Sequence, residues 1–394
     1  MAHVAMSAIS PSSANAHMAT NPLRSDDLLR EVYGVLGIPI DATDMAAVLQ
    51  KTNSAAASGS IFFISTVNLN YLVTSQVDAD FRESLLLSDL CSADGMPVVW
   101  VARLLGVPVK ARVAGSDMFD ELRSMQRSAP LKVFLFGSGQ GVAAAACGKI
   151  NAEHGGLVCV GSYYPGFGSI DDMSTDAIIT LINSSKADFL VVALGSKKGQ
   201  AWLLKNYGRL KIPVRAHLGA TAGFQAGTVK RAPRWMQKLG IEWFWRILEE
   251  PQLWRRYCND GLVLAQLLLT RVLPLMALRA WHTFRRRRER DVFFIESTED
   301  QESVVLRPKG LADAKHINAA VSSFRAAMTV NKHIVINFAG TRLIDTRFLG
   351  LLLMLHKQLS GRGFRLTFTA VPPHIRRLFR LNGFEFLLGS VEKA

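Results

Sequence analysis

The sequence predicts an α/β protein in which a domain with a mostly parallel sheet precedes a smaller α/β domain. From residue 34 to residue 258, short apolar runs alternate with amphipathic stretches, and each run ends in Gly, Ser or Asn. Continuous apolar strands separated by helices are typical of a parallel sheet that is covered on both faces. The length of 394 residues also exceeds that of one ordinary domain.

The predicted strands of this sheet are four apolar runs at 61–64, 133–136, 158–160 and 189–194. In open parallel sheets, ligands bind beyond the carboxyl ends of the strands. The loops that follow these strands are therefore the expected place of a binding site. They begin at Thr66, Gly137, Gly161 and Gly195.

Residues 1–33 are predicted to form a disordered tail, and they lack the basic start and continuous apolar stretch of a secretory signal. The whole chain is 49% hydrophobic and 20% charged, which excludes a wholly disordered protein. Four widely separated cysteines without a CxxC pair indicate a reducing compartment. The sequence also contains no HExxH, Walker A or G-x-S-x-G motif, so the corresponding hydrolase and kinase classes have no support.

The formal charge of +14 is concentrated in the segment 259–290, where a strongly apolar stretch precedes the basic run Arg285–Arg290. Such a pattern favours an interfacial helix on an anionic membrane surface. A spanning helix is disfavoured by Arg271 and Pro274, and a buried helix followed by a solvated linker is the alternative. A nucleic-acid partner is not expected, because the charge is not interleaved with aromatic residues.

The final segment, 291–394, is predicted to be a compact α/β domain of its own. Its predicted strands are 303–306, 333–338 and 364–369, and its predicted helices are 348–359 and 372–381. No repeat relates it to the first domain.

A small polar cluster, Thr66 and Asn68, follows the first predicted strand, and Asp94 precedes a glycine 28 residues after Thr66. A carboxylate is a natural general base for an attacking hydroxyl group. The alternative for Asp94 is a turn or helix-capping role. The pair Asp78 and Asp80 has the form of a metal-binding D-x-D, but its place in a predicted helix favours a solvated helix face.

The loop Gly137–Gly141 follows a strand and opens an Ala-rich helix, which suits a phosphate at a helix N-terminus. A simple tight turn is the alternative. Further along, basic and aromatic residues close the domain, and the arginines there are candidate ligands of a diphosphate. These are Arg231, Arg246, Arg255 and Arg256. The alternative is an ordinary amphipathic surface helix.

In collinear order over 34–258, these segments resemble the WecG/TagA/CpsF glycosyltransferases, glycosyltransferase family 26. The resemblance is carried by residues 37–41, 66–68, 93–95, 112–117, 136–139, 227 with 231–233, and 242–243 with 246. It implies a Rossmann-like domain that moves a sugar from a nucleotide donor, usually UDP-linked, to a sugar on polyprenyl diphosphate. It also implies inversion at the anomeric carbon, no metal or other cofactor, and a peripheral location on the cytoplasmic face of the bacterial plasma membrane.

The resemblance further implies roles for individual residues. Asp94 matches the general base and Thr66 the polar residue beside it, while Arg246 and Arg256 match a membrane-proximal segment that completes the site around the lipid diphosphate, with Arg231 and Arg255 nearby. The expected donor-binding residues are Asn68, Gly137, Ser138, Gly139, Gly141, Gly195, Ser196, Lys197 and Gln200.

Three places depart from the family pattern. In the G-x-P-x-Q-E motif Lys197 replaces the proline, and the glutamine is either lost to Gly199 or shifted to Gln200. Ala222-Gly223 replaces Phe-Asp, and Leu253 replaces a basic residue. These departures motivate the alternative of a non-catalytic membrane scaffold with a degenerate transferase domain. The presence of Asp94 and Thr66 argues for the enzyme.

The C-terminal segment looks like a STAS domain, on the residues 335–340 and 343–350. That family implies docking of a protein partner, and it implies phosphorylation of a hydroxyl residue just after the aspartate at the helix start. Thr346 is the hydroxyl in place here, but Arg347 follows where a second hydroxyl is common. Protein docking is therefore the preferred interpretation, with phosphorylation of Thr346 as the alternative.

Overall fold

The computed structural model describes residues 26–286 and 292–389, and it confirms the α/β class with a mostly parallel sheet followed by a smaller α/β domain. The central sheet has six parallel strands in the order β4-β3-β8-β7-β5-β6. These strands are β3 (Phe62–Val67), β4 (Leu90–Ala93), β5 (Leu131–Gly137), β6 (Leu157–Tyr163), β7 (Phe189–Ala193) and β8 (Val214–His217).

Helices cover both faces of this sheet. They are α1 (Met45–Ser58), α2 (Leu69–Val77), α3 (Ala79–Leu87), α4 (Met96–Leu104), α5 (Gly115–Ser124), α6 (Val142–Ala152), α7 (Asp176–Ser184), α8 (Ser196–Lys205) and α9 (Thr221–Ala226). Successive residues of β3 point to opposite faces, so Phe62 and Ile64 join one apolar core and Phe63 joins the other. This two-sided burial explains the continuous apolar runs of the sequence.

The predicted boundary of the tail at residue 33 is too late in the sequence, because residues 26–33 are folded. Asp27–Leu29 form a 3-10 turn, and strand β1 (Val32–Val35) pairs with β2 (Ile38–Asp41) in an antiparallel hairpin. Leu28 is only 1% exposed. The apolar residues that bury this segment belong to the second domain, far away in sequence, which is why a local pattern does not reveal it.

A long helical segment follows the sheet domain. It comprises α10 (Arg234–Leu239), α11 (Glu242–Glu249), a 3-10 turn at Pro251–Leu253, α12 (Trp254–Leu267), a π-helical turn (Leu268–Val272) and α13 (Leu273–Arg286). Pro251–Trp281 is long and apolar enough to cross a membrane by length and composition alone. One stripe of it is buried against the protein, at Leu267, Val272 and Leu275. The rest of the predicted basic run, residues 287–290, lies outside the described residues.

The second domain has a five-stranded sheet with the parallel order β12-β10-β11-β13, and β9 pairs antiparallel with β10. The strands are β9 (Phe293–Glu299), β10 (Ser303–Ala312), β11 (His333–Asn337), β12 (Thr341–Ile344) and β13 (Leu366–Thr369). Its helices are α14 (Ile317–Thr329), α15 (Thr346–Gly361) and α16 (Pro373–Leu381). The predicted elements are therefore present, with β9, β12 and α14 in addition.

Two of the four cysteines are joined in the structure. A disulfide links Cys147 on α6 to Cys159 on β6, whereas Cys91 and Cys258 are free. The sequence interpretation treated all four cysteines as widely separated and so missed this pair. The turn between α6 and β6 brings the two cysteines together, although they are 12 positions apart in the sequence.

Candidate active site

The predicted cluster of Thr66, Asn68 and Asp94 assembles at the carboxyl ends of two neighbouring strands. Thr66 is paired with Ser92 in the β3–β4 ladder, and the amide of Asp94 donates to the carbonyl of Val67 at 2.9 Å. The side-chain oxygen of Asn68 accepts from the amide of Tyr71 and caps α2. The Asp94 side chain does not cap α4, which follows it in the chain, because the N-cap of α4 is Gly95 and makes no side-chain cap bond.

The N-terminus of α5 faces Asp94. The amide of Gly115 donates to Oδ2 of Asp94 at 3.4 Å. Gly115 has no room for a side chain, since an added Cβ would lie 2.4 Å from Leu218 and 3.1 Å from Oγ1 of Thr66. This close approach of α5 brings a backbone donor to the carboxylate. Burial raises the pKa of Asp94 to about 6, an effect that the nearby Arg112 guanidinium and the Gly115 amide oppose.

This raised pKa gives a test of the sequence prediction that Asp94 is a general base. Such a base works only when ionised, so for that role kcat/KM is expected to fall about tenfold per pH unit below pH 6 and to level off above it. A pH–rate profile between pH 4.5 and 8.5 at subsaturating substrate measures this. A flat profile down to pH 4.5 would show that Asp94 does not titrate as the base.

Arg112 is a site residue to which the sequence interpretation gave no role. Its guanidinium donates to Asp117 at 2.8 Å and to Glu242 of α11 at 2.9 Å, and it lies close enough to Asp94 to lower that pKa. The bond to Glu242 fixes the helical segment over the sheet domain. The signal was present in the sequence, because Arg112 and Glu242 both belong to the quoted motifs, but their pairing across 130 residues is visible only in the fold.

A cavity of about 860 Å³ opens beside this arginine. Its walls come from α4, α5, α10 and the segments between them. They are Met96, Val99, Arg103, Ala111, Arg112, Asp117, Asp120, Glu121, Arg231 and Gln237. The cavity therefore combines an apolar wall with three arginines and three acids, and through Arg112 it adjoins Asp94.

The two predicted donor loops meet at the same edge of the sheet. Gly137 pairs with Ala193 in the β5–β7 ladder, and the amide of Ser138 donates to the Ala193 carbonyl at 2.6 Å. Gly137 and Gly141 have positive φ angles, and an added Cβ at Gly137 would lie 2.8 Å from the Ala193 carbonyl oxygen. The N-termini of α6 and α8 consequently lie near each other, and no side chain caps either of them. Two free helix N-termini suit a phosphorylated ligand.

Within the second loop, Ser196, Lys197 and Gln200 have different surroundings. The Ser196 hydroxyl donates to Asn70 at 2.8 Å, and Lys197 forms an ion pair with Asp78. Asp78 also caps α3, so the predicted single helix around it is in fact two helices, α2 and α3.

Gln200 is completely buried and donates to Ser65 at 2.8 Å and to Tyr71 at 3.3 Å. A direct contact of Gln200 with the donor is therefore not supported, because its side chain points into the interior. Gly199 beside it has no space for a glutamine, since an added Cβ would lie 2.1 Å from His217.

His217 completes a buried polar network that the sequence interpretation missed. Its Nε2 donates to the Leu194 carbonyl at 2.6 Å, so its Nδ1 accepts from the Tyr71 hydroxyl at 2.6 Å. Burial lowers the pKa of His217, which keeps the ring neutral. The network joins β8, α2 and the loop after β7 beneath the site.

The predicted diphosphate arginines divide into two groups. Arg231 and Arg246 both lie near the ring of Phe224, with guanidinium-to-centroid distances of 5.5 and 5.6 Å. Both already have acidic partners: Arg231 bonds to Asp117 and Asp120, and Arg246 bonds to Glu250.

Arg255 and Arg256 are exposed in the first turn of α12. This turn is close to the polar cluster because Asn70 of α2 donates to Asp260 of α12 at 3.3 Å.

Exposed aromatic and apolar side chains occur on α4 and along the helical segment that carries Arg246, Arg255 and Arg256, and we call them together the tryptophan surface. Five of the seven tryptophans belong to it, each about half exposed: Trp100, Trp235, Trp243, Trp254 and Trp281. Phe244, Leu248, Leu262, Leu269 and Leu273 are exposed on the same helical segment. Tryptophan is enriched where proteins meet the headgroup region of a bilayer.

A partly buried carboxylate and two uncapped helix N-termini lie along the carboxyl edge of a six-stranded parallel sheet, an arrangement that suits a group-transfer enzyme, and the comparisons identify it as a glycosyltransferase. The sequence matches the glycosyl transferase WecG/TagA/CpsF family over residues 33–277, and the chain belongs to this family. The match extends beyond residue 258 into α13. Residues 295–389 match the family described as Mlab, STAS domain.

Curated relatives of the transferase carry one functional name. The chain is 32% identical over 195 residues to the N-acetylglucosaminyldiphosphoundecaprenol N-acetyl-beta-D-mannosaminyltransferase of Bacillus subtilis (strain 168), covering 49% of this chain and 73% of the relative. It is 29% identical over 227 residues to the enzyme of the same name from Staphylococcus aureus (strain MW2), covering 56% of this chain and 85% of the relative.

Proposed function

We propose that this chain transfers a sugar from a UDP-linked donor to a sugar carried on polyprenyl diphosphate, in the assembly of a bacterial cell-envelope polysaccharide. The observation that carries the proposal is Asp94, a partly exposed carboxylate of raised pKa at the end of β4 with an arginine beside it. The acceptor class is supported by the name of the relatives, whose acceptor is N-acetylglucosamine on undecaprenyl diphosphate.

In this reaction Asp94 removes the proton from the acceptor hydroxyl as its oxygen bonds to the anomeric carbon of the donor sugar. The bond from that carbon to the nucleotide diphosphate breaks in the same displacement, so the configuration inverts and the diphosphate leaves with the electron pair. Thr66 is placed beside the carboxylate to orient the hydroxyl, and Gly115 keeps α5 close to both. A base near neutral pH contributes most when its pKa lies near the working pH.

The nucleotide part of the donor is assigned to the two neighbouring helix N-termini. Backbone amides of the Gly137–Gly141 loop and of Gly195 and Ser196 would bind its oxygens. This site follows β5 and β7, whereas Asp94 follows β4, three strands from β7. Strand spacing places them about 14 Å apart across the sheet edge. The donor would therefore lie along this edge, with its nucleotide at β5 and its sugar near β3.

The lipid diphosphate of the acceptor is assigned to the arginines on the other side of Asp94. Arg112 and Arg231 line the cavity, Arg246 shares the ring of Phe224 with Arg231, and Arg256 lies in the first turn of α12. Acidic partners hold Arg112 and Arg231 in place without ligand, and phosphate oxygens can share the same guanidinium donors. An arginine that is already fixed loses less side-chain entropy on binding.

The tryptophan surface is assigned to the membrane that carries the acceptor. We propose that the protein lies peripherally on the cytoplasmic face, with α11 and the exposed stripe of α12 and α13 in the headgroup region. Arginines at this surface can bind anionic lipid as well as the diphosphate.

Replacing Trp243 and Phe244 together by serine is expected to weaken partition onto anionic phospholipid vesicles about 10- to 100-fold. Full burial of a large apolar side chain contributes about 1.5–3 kcal/mol, and each of these two is about half exposed, so that the pair can gain about 1.5–3 kcal/mol in total. Sedimentation with vesicles measures this. The matched control is Phe167→Ser, since Phe167 is 97% exposed on the loop after β6 and is expected to have no effect. Equal losses in both variants would place the membrane contact elsewhere.

The proposed activity is tested by assaying transfer from UDP-, GDP- and dTDP-sugars to polyprenyl-diphosphate N-acetylglucosamine in detergent. Transfer from a UDP-sugar with inversion, detected by NMR of the product, is the expected result. Transfer only to acceptors without the lipid diphosphate would refute the assigned acceptor. Binding of nucleotide sugars without turnover of any donor would favour the scaffold alternative.

A further inference from the structure

The helix α15 of the second domain is buried on every side. From Phe348 to Leu355 no side chain is polar, and Phe348, Leu349, Leu352 and Met354 have no exposed surface. A helix that is apolar all round requires neighbours on both faces. One neighbour is the sheet of its own domain. The other is the hairpin β1–β2 of the transferase domain.

Glycines allow this contact. An added Cβ at Gly350 would lie 2.1 Å from the carbonyl oxygen of Val32, and one at Gly34 would lie 2.8 Å from Cβ of Leu349. Backbone therefore meets backbone between the two domains. The guanidinium of Arg347 donates to the same Val32 carbonyl at 2.9 Å.

A buried ionic cluster continues the interface. Lys357 of α15 has no exposed side-chain surface and contacts Asp27 at 3.3 Å, Asp89 at 3.2 Å and the Ser88 carbonyl at 2.9 Å. Arg30 joins the cluster through Asp27 and Asp41. Removing one member of such a buried cluster leaves an uncompensated charge, so its members are strongly coupled.

The same carboxylates hold the two strands that carry the active site. Asp89 accepts from the amide of Phe63 at 3.0 Å, and Asp41 accepts from the amide of Cys91 at 2.6 Å. Phe63 lies in β3, which ends at Thr66 and Val67, and Cys91 lies in β4, which leads directly to Asp94. A path of hydrogen bonds thus runs from Lys357 to the strands of the proposed base.

We propose that the STAS domain stays packed on the transferase domain of the same chain. In this arrangement Lys357 is a positioning residue, which holds β3 and β4 in the register that places Thr66 and Asp94. The partner of the α15 surface is the β1–β2 hairpin of the same chain. Thr346 begins α15 at this interface and is only 9% exposed. A kinase reaches its hydroxyl only when the domains separate, so the docked protein is not phosphorylated there.

The docking is tested without reference to activity by a protease site inserted between residues 286 and 292 of the full chain. After cleavage the two halves are expected to co-elute in size exclusion as one complex. The same cleaved chain carrying Gly350→Glu is expected to separate, because no side chain fits against Val32. Ser322→Glu, on the exposed face of α14, is the control and is expected to stay associated. Separation of the unmutated halves would overturn the proposal.

The positioning role rests on the proposed function and is tested in the intact chain with Lys357→Met. We expect kcat to fall about tenfold or more, since small misplacements of a catalytic group are costly, with the KM of the donor unchanged. Lys357→Arg is expected to recover part of the loss.

The control is Lys332→Met, because Lys332 pairs only with Glu299 and Asp300 of its own domain. A lower Tm with unchanged kcat at temperatures where the protein stays folded would show that Lys357 supports only the fold. If the unmutated protein transfers no sugar, the co-elution test still decides the docking.

Discussion

Asp94→Asn is expected to lower kcat about 10²- to 10⁴-fold, which is the usual contribution of a positioned general base. The asparagine has nearly the same shape and can keep the contact with the Gly115 amide. The substitution therefore removes the proton acceptor with little disturbance of the fold. Single-turnover transfer from the UDP-sugar donor measures the effect, and KM for the donor is expected to change little.

The matched control is Asp80→Asn, an exposed carboxylate in the first turn of α3. It is expected to have no effect on kcat. Equal turnover by Asp94→Asn and the unmutated enzyme would remove Asp94 as the base. An Asp94→Asn protein that still binds the nucleotide donor, measured by calorimetry, would confirm that the loss is in the chemical step.

Arg112→Met is expected to have the second largest effect, a loss of about 10- to 100-fold in kcat/KM for the lipid acceptor, because hydrogen bonds to charged groups contribute about 1.5–3 kcal/mol. It also removes the positive charge that lowers the pKa of Asp94. The acid limb of the pH–rate profile is therefore expected to move to higher pH. The two effects together distinguish Arg112 from a residue that binds phosphate only.

The control for this substitution is Arg376→Met, since Arg376 is exposed on α16 of the second domain. It is expected to leave both kcat/KM and the pH profile unchanged. An unchanged pH profile in Arg112→Met, combined with weak acceptor binding, would show that the charge of Arg112 does not lower the pKa of Asp94. Unchanged acceptor kinetics would remove it from the diphosphate site.

The strands of the central sheet were predictable to different extents. The four predicted runs are apolar because β3, β5, β6 and β7 are covered by helices, and each lies within two or three residues of its prediction. The strands β4 and β8 were missed because they are short and contain Ser92, Arg215 and His217. Arg215 is tolerated in the interior because its guanidinium donates to the carbonyls of three residues: Tyr207, Leu210 and Ile212.

The residues of the candidate site were also predictable to different extents. Thr66, Asn68 and Asp94 could be predicted to meet, because parallel strands deliver their carboxyl ends to one edge. The inward orientation of the Gln200 side chain and the partners of Arg112 could not be predicted, because both depend on which helices pack across that edge of the sheet. The acidic partners of Arg231 and Arg246 were likewise not predictable from spacing.

The sequence by itself determined the α/β class, the glycosyltransferase and STAS families and the candidate base, because hydrophobic periodicity and local motifs depend on neighbours in the chain. The tertiary structure decided what lies between the domains. The sequence prediction treated residues 26–33 as tail and the STAS domain as a module for another protein. The fold instead packs the hairpin on α15 and buries Lys357 among Asp27 and Asp89, residues separated from it by 330 and 268 positions. Such pairings leave no local pattern, because the burial that stabilises each segment is supplied by the other.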